Sequence, residues 1–257
     1  MSTKIHRIIL ATSVLLSSHW PTISDLRNAP APHTTNIETM SNEAENTSFF
    51  QREAWYTDAR GKSVVNSTTS IAIDYWTGVP ATINGMLGGY GSITSTDTKA
   101  SSLFISEFIK GKRGANNHII KPPCISTAYA CDCGAGIGRV SKHFLLKHFD
   151  KVDLVEYTPK FIKQAEQSYL AKEAQEGRVG RFICEGLQTF TPEEGKYDLI
   201  WCQWVLSHLT DEDLLSFLVR CKQGLKASGI IGIKENVTAV GYNFDKMDSS
   251  VTRRVIV

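Results

Sequence analysis

The sequence predicts an α/β fold built around a mostly parallel sheet. Three observations predict it: strand and helix patterns alternate from about residue 126 onward, a glycine-rich loop follows the first of these strands, and an acid closes the second. Strands separated by helices need right-handed crossovers, which make them parallel and gather ligands at their carboxyl ends.

Residues 126–131 read as a buried strand and 140–149 as a short helix with Val140, Phe144 and Leu145 inward. Between them, Asp132-Cys133-Gly134-Ala135-Gly136-Ile137-Gly138-Arg139 carries three alternate glycines, which let the backbone turn tightly beneath a ligand. Residues 152–156 form the second strand, ending in Glu156, an acid placed to accept from a pair of ribose hydroxyls. Thr158 caps a helix that starts at Pro159 and buries Phe161, Ile162, Ala165 and Tyr169. Two more strands follow at 181–184 and 197–201. Thr210-Asp211-Glu212-Asp213 is a capping box for a helix through Leu214, Leu218 and Cys221. A fifth strand, 230–234, is entered through a Ser228-Gly229 turn.

The chain of 257 residues, 42% hydrophobic and 21% charged, suits one sizeable soluble domain with a tail. Its net charge of +2, without a long run of either sign, argues against nucleic acid as a partner. None of the six cysteines forms the C-x-x-C pair of a zinc site, so no metal is expected; Cys131 and Cys133 share a strand face, and buried free thiols suit a reducing compartment.

Residues 1–39 are assigned to a disordered extension. Lys4, His6 and Arg7 precede an apolar run from Ile8 to Leu16, as in a presequence, while Met40 offers a second start before an acidic segment. The run is too short to cross a bilayer, so no stable membrane association is expected. Residues 40–74 form a variable segment and 75–257 the main domain. Nucleus and cytoplasm are the expected locations, or an organelle or the secretory route if residues 1–39 are a true presequence.

A larger set of motifs is more specific. Tyr75-Trp76, Pro80, Asn84-Gly85-Met86-Leu87-Gly88-Gly89-Tyr90-Gly91, Asp132 to Arg139, Gly186-Leu187-Gln188, Gln203-Trp204, Ser207-His208-Leu209, Lys234-Glu235-Asn236 and Asp248-Ser249-Ser250 together resemble the eukaryotic protein α-N-terminal methyltransferases. The likeness covers roughly residues 70 to 251. It implies a Rossmann-like methyltransferase sheet with flanking helices, S-adenosylmethionine as cofactor, and protein N termini beginning Xaa-Pro-Lys or Xaa-Pro-Arg as substrates.

By matching position the resemblance assigns Gly134 and Gly136 to the cofactor, Arg139 to its methionine carboxylate and Glu156 to its ribose, where the family normally has Asp. Leu187 and Gln188 would lie along the adenine and Gln203 near the methionine, with Met86, Leu87 and Gly88 in a segment covering the site. Asp248 and His208 are implied as proton acceptors and Asn236 as the residue orienting the amine. Trp204 would pack on the substrate proline, Asp245 attract its Lys or Arg, and Trp76 bind substrate. Read singly, each has a plainer explanation: a solvated strand end for Glu156, a surface ion pair for Arg139, a core residue for Trp204, a helix cap for His208, loop acids for Asp245 and Asp248.

Two departures stand out. Residues 60–70 are polar and Gly- and Ser-containing where the family continues a short helix, and are expected to form an inserted loop. After Val251 the chain has only six more residues, so the family's final strands are expected to be missing, leaving a sheet edge unpaired and apolar surface uncovered. The rival readings are a catalytically impaired form that retains only cofactor or peptide binding, and a nicotinamide-dependent oxidoreductase, which leaves Gln203-Trp204 and Asp248 without a role.

Overall fold

The computed structural model describes residues 74–238, 242–245 and 247–253, together with the backbone of Arg7–Ser13 and Thr35–Asn36. The expected inserted loop at 60–70 and the second start at Met40 lie outside the described residues.

Eleven strands are described: β1 (Arg7–Ser13), β2 (Thr35–Asn36), β3 (Lys112–Arg113), β4 (Ile119–Lys121), β5 (Tyr129–Cys133), β6 (Lys151–Glu156), β7 (Val179–Cys184), β8 (Tyr197–Gln203), β9 (Leu225–Asn236), β10 (Tyr242–Phe244) and β11 (Val251–Arg253). The central sheet runs β2-β1-β9-β8-β5-β6-β7 and is parallel except for β2. Helices α1 (Ile83–Met86), α2 (Thr94–Lys110), α3 (Arg139–His143), α4 (Pro159–Gln164), α5 (Ala171–Gln175) and α6 (Asp211–Gly224) accompany it. Because β5 pairs with β6 on one side and β8 on the other, the chain reverses its direction of travel across the sheet there, and a crevice opens at the carboxyl ends of these strands.

The period of two along the strands divides the core into two layers. On β8, Leu199 and Trp201 join Phe104, Phe108 and Phe144, while Ile200 and Cys202 join Phe217 and Cys221 on the opposite face. Cys131 and Cys133 share that second face, with their sulfurs 3.8 Å apart. The cysteines are free thiols; Cys131, Cys133, Cys202 and Cys221 are buried, Cys124 is partly buried and Cys184 is exposed.

Element limits differ from the sequence reading for physical reasons. The first inner strand starts at Tyr129, where the Asp198 carboxylate takes the Tyr129 N–H at 2.9 Å, and it runs on through Asp132 and Cys133. The helix expected at 140–149 breaks after His143 into a 3-10 turn, Leu145–Lys147; the break lets consecutive Phe144, Leu145 and Leu146 all face inward, which an unbroken helix does not allow. Thr158 makes no side-chain cap, and its own N–H donates to Glu156 at 2.7 Å. Thr210 does cap α6, accepting from the Asp213 N–H at 3.1 Å and donating to the Asp213 carboxylate at 2.8 Å. Ser228-Gly229 is not a turn but lies within β9, where Gly229 passes so close to Tyr197 that a Cβ would sit 2.7 Å from its carbonyl oxygen.

The sheet edge at β9 is also not open. β1 pairs with it in parallel from Arg7 opposite Ile230 to Ser13 opposite Asn236, and β2 adds an antiparallel pair. Among the described residues, no helix is long and apolar enough to cross a membrane.

Candidate active site

The loop after β5 is hooked to β6, since the N–H groups of Gly134 and Ala135 donate to the Val155 carbonyl at 2.9 and 3.0 Å. Gly134 and Gly136 have φ of 74° and 56°, a region that favours glycine. A Cβ would meet Val205 at 2.4 Å from Gly134, or the Met86 sulfur at 2.9 Å from Gly136. The loop therefore brings bare backbone against whatever occupies the crevice. Glu156 is buried at the end of β6, where its two oxygens accept the Thr158 N–H at 2.7 Å and the Gly136 N–H at 2.9 Å. Burial pushes its carboxyl up, against the pull of these backbone donors. Glu156 lines the cavity, so the fixed carboxylate is placed to receive a vicinal diol.

Arg139 opens α3, only 5% exposed, and donates to Asp97 at 2.7 Å. Asp97 is a hub. It also accepts from Gln203 at 2.9 and 3.1 Å and from the Lys234 ammonium, whose other partners are the Asp97 carbonyl and the Ser101 hydroxyl, both at 3.1 Å. Burial would raise the Asp97 carboxyl, but Lys234 and Arg139 outweigh it and hold it below its ordinary value. Arg139 lines the cavity at this end, where its guanidinium suits a ligand carboxylate.

At the other end, Leu187 and Gln188 line the cavity on a loop whose carbonyls Arg220 holds at 2.8 and 2.9 Å. Met86, Leu87, Trp76, Gln203, Trp204 and His208 complete the wall, whereas Gly88, Asn236, Asp245 and Asp248 do not line it.

The last three lie beside it. His208 Nε2 is 4.0 Å from the Asp248 carboxylate and accepts the Trp76 indole N–H at 3.3 Å, which places the proton of the neutral ring on Nδ1. Burial lowers the His208 pKa, against the opposing pull of Asp248 and Asp245, which favours the neutral ring, whose Nε2 lone pair is engaged by Trp76. Asp248 and Asp245 are each fixed by one backbone N–H, from Ser250 at 3.0 Å and Met247 at 2.8 Å. Asn236 Oδ1 and Ser249 Oγ are buried without a hydrogen-bond partner. Buried polar atoms are nearly always paired, so each of these can still take a further polar partner.

Asp97 escaped the sequence reading, and Glu235 and Ser249, though inside motifs it singled out, were given no role. Asp97 had a usable signal: it shares the i, i+3, i+4 face of Ser101, Phe104, Ile105 and Phe108, and an acid on an apolar stripe announces a buried partner. Ser249 and Glu235 are revealed only by tertiary placement.

Residues 65–256 match a family described as AdoMet-dependent proline di-methyltransferase. The chain is 49% identical over 185 residues to the N-terminal Xaa-Pro-Lys N-methyltransferase 1-B of Xenopus laevis, covering 72% of this chain and 77% of that protein. It is 47% identical over 184 residues to N-terminal Xaa-Pro-Lys N-methyltransferase 1 of Homo sapiens, with the same two coverages. Among solved structures, a SAM-dependent methyltransferase of Leishmania major matches with a TM-score of 0.63 and 32% identity, over 77% of this chain and 80% of that one.

Proposed function

The chain belongs to the AdoMet-dependent proline di-methyltransferase family, and we propose from this premise that it transfers methyl groups from S-adenosylmethionine to the α-amine of protein N termini beginning Xaa-Pro-Lys or Xaa-Pro-Arg. The observation that carries the reading is the pairing of the crevice with Asp248 4.0 Å from His208, a residue of its wall.

The bound cofactor supplies an electrophilic methyl on a sulfonium. Arg139, fixed by Asp97, holds the carboxylate end; Glu156 holds the ribose; Leu187 and Gln188 flank the base. The acceptor has an ordinary pKa of about 7.7 to 8.0, so much of it arrives protonated at pH 7 and one proton must leave before transfer. Asp248 and His208 take that proton, and Asn236 orients the freed nitrogen. Trp204 presents a flat face to the second-position proline, while Asp245 attracts the third-position cation. Holding the neutral nitrogen in line then supplies much of the acceleration. A nicotinamide enzyme would leave the Asp248 and Asn236 cluster idle.

The test is mass spectrometry of an Xaa-Pro-Lys peptide incubated with the protein and S-adenosylmethionine, beside an N-acetylated copy. Methyl mass gained by the free peptide alone is expected; no gain from folded, cofactor-binding protein would refute the reading and favour binding without catalysis. For the cofactor site, Glu156→Ala is expected to weaken S-adenosylhomocysteine by about 100-fold or more in calorimetry, because the two charge-assisted hydrogen bonds of a diol contribute roughly 1.5–3 kcal/mol each. An unchanged affinity would remove Glu156 from the ribose site.

A further inference from the structure

The chain leaves β8 through a costly turn. Trp204 has φ of 54°, a left-handed conformation unfavourable for a bulky side chain, and the 3-10 turn Leu206–His208 follows at once. Three residues make too few internal hydrogen bonds to hold themselves in place. Two side chains from separate strands hold them. From β9, a single oxygen of Glu235 accepts the N–H groups of Val205 and Leu206, both at 2.7 Å. From β11, the Arg253 guanidinium donates to the carbonyls of Leu206 at 3.2 Å and Leu209 at 2.6 Å, and pairs with Asp211 at the start of α6 at 2.8 Å. One group thus takes the donors of the turn and the other its acceptors.

We infer that Glu235 and Arg253 are positioning residues that clamp this turn from both sides, setting Trp204 and His208 in register with the substrate peptide. Neither side chain lines the cavity, so neither touches the cofactor from its wall. The inference rests on the function above, because register matters only if the turn meets a peptide. Burial of Glu235 fits the same role. It pushes the carboxyl up to about 7 despite the two backbone donors and the nearby Arg253 charge, a cost that a mere surface acid would escape.

The test compares Glu235→Ala, Glu235→Gln, Arg253→Ala and the Glu235→Ala/Arg253→Ala pair. Both backbone bonds end on one oxygen, so the Gln amide carbonyl can accept them without the charge. Glu235→Ala is expected to lower kcat/KM for the peptide on the order of 100-fold, the scale of an ångström-sized misplacement. Its affinity for S-adenosylhomocysteine should stay within about threefold, and Glu235→Gln should recover most of the loss. The pair should lose less than the product of the single losses, because both act on one turn. Cofactor affinity falling in step with turnover, a Gln variant no better than Ala, or turnover unchanged in Glu235→Ala would each overturn the inference. If the unaltered protein does not methylate the peptide, the proposed function fails instead. The clamp is then judged by hydrogen exchange at the Val205 and Leu206 amides, which should be slow in the unaltered protein and the Gln variant and fast in Glu235→Ala; equal rates would overturn it.

Discussion

Asp248→Asn is expected to lower kcat by about 10²- to 10⁴-fold, the usual contribution of a positioned proton acceptor, while leaving the affinity for S-adenosylmethionine within about threefold. The substitution is nearly isosteric. One carboxylate oxygen of Asp248 accepts the Ser250 N–H at 3.0 Å, and the Asn carbonyl can keep that bond, so the local loop survives. What disappears is the charge 4.0 Å from His208. Because burial lowers the His208 pKa and Asp248 opposes that, removing Asp248 lets the ring titrate at still lower pH. The ring stays neutral in the variant but becomes a weaker base, so His208 cannot make good the loss. The acid limb of kcat should move to lower pH while its plateau drops. Single-turnover rates and calorimetry separate the two roles, and a matching loss of cofactor affinity would show that Asp248 supports the fold rather than the chemistry.

The glycine loop and the acid beside it were legible in the sequence because local rules determine them. A strand, three alternate glycines, a helix and an acid at the next strand end are all short-range features, and the loop lies where they place it, with Gly136 bonded to Glu156 at 2.9 Å. The ends of elements were less legible because tertiary contacts decide them: Asp198, far along the chain, starts β5, and inward packing of Phe144 to Leu146 breaks the helix after α3. The residues proposed to meet the acceptor were visible only through resemblance. Asp248, His208 and Asn236 lie on separate elements, and no spacing rule relates them. The pairing of β1 with β9 was hidden for a similar reason, since a parallel partner more than 200 residues away leaves no local pattern.

Asp97 connects these two levels, and its removal should have the largest structural effect. Asp97→Ala is expected to lower Tm by about 10 °C, since breaking a buried pair costs roughly 3–5 kcal/mol and a domain of this size loses about 2–4 °C per kcal/mol. The side chain meets Arg139, Gln203 and Lys234, and both cations are themselves buried, so truncation leaves two charges facing a void. The folded Asp97 pKa is lowered, so its stabilisation is complete above the ordinary carboxyl value of 3.8 and is lost as pH falls through the folded value. The wild-type advantage over Asp97→Ala should therefore be full at pH 7 and shrink in strong acid. For the cofactor, two effects compete. An extra unbalanced positive charge attracts the ligand carboxylate, but Arg139 and Gln203 lose their common anchor and regain rotamers worth up to about 2 kcal/mol each. The freed side chains should win, weakening S-adenosylhomocysteine about tenfold. Asp97→Asn keeps the volume and part of the hydrogen bonding, and should fall between the two. Thermal unfolding of all three at pH 7, with and without S-adenosylhomocysteine, decides the matter: equal Tm values for Asp97→Ala and the unaltered protein would mean that Lys234 and Arg139 find other partners, and α2 would then be an ordinary packing helix.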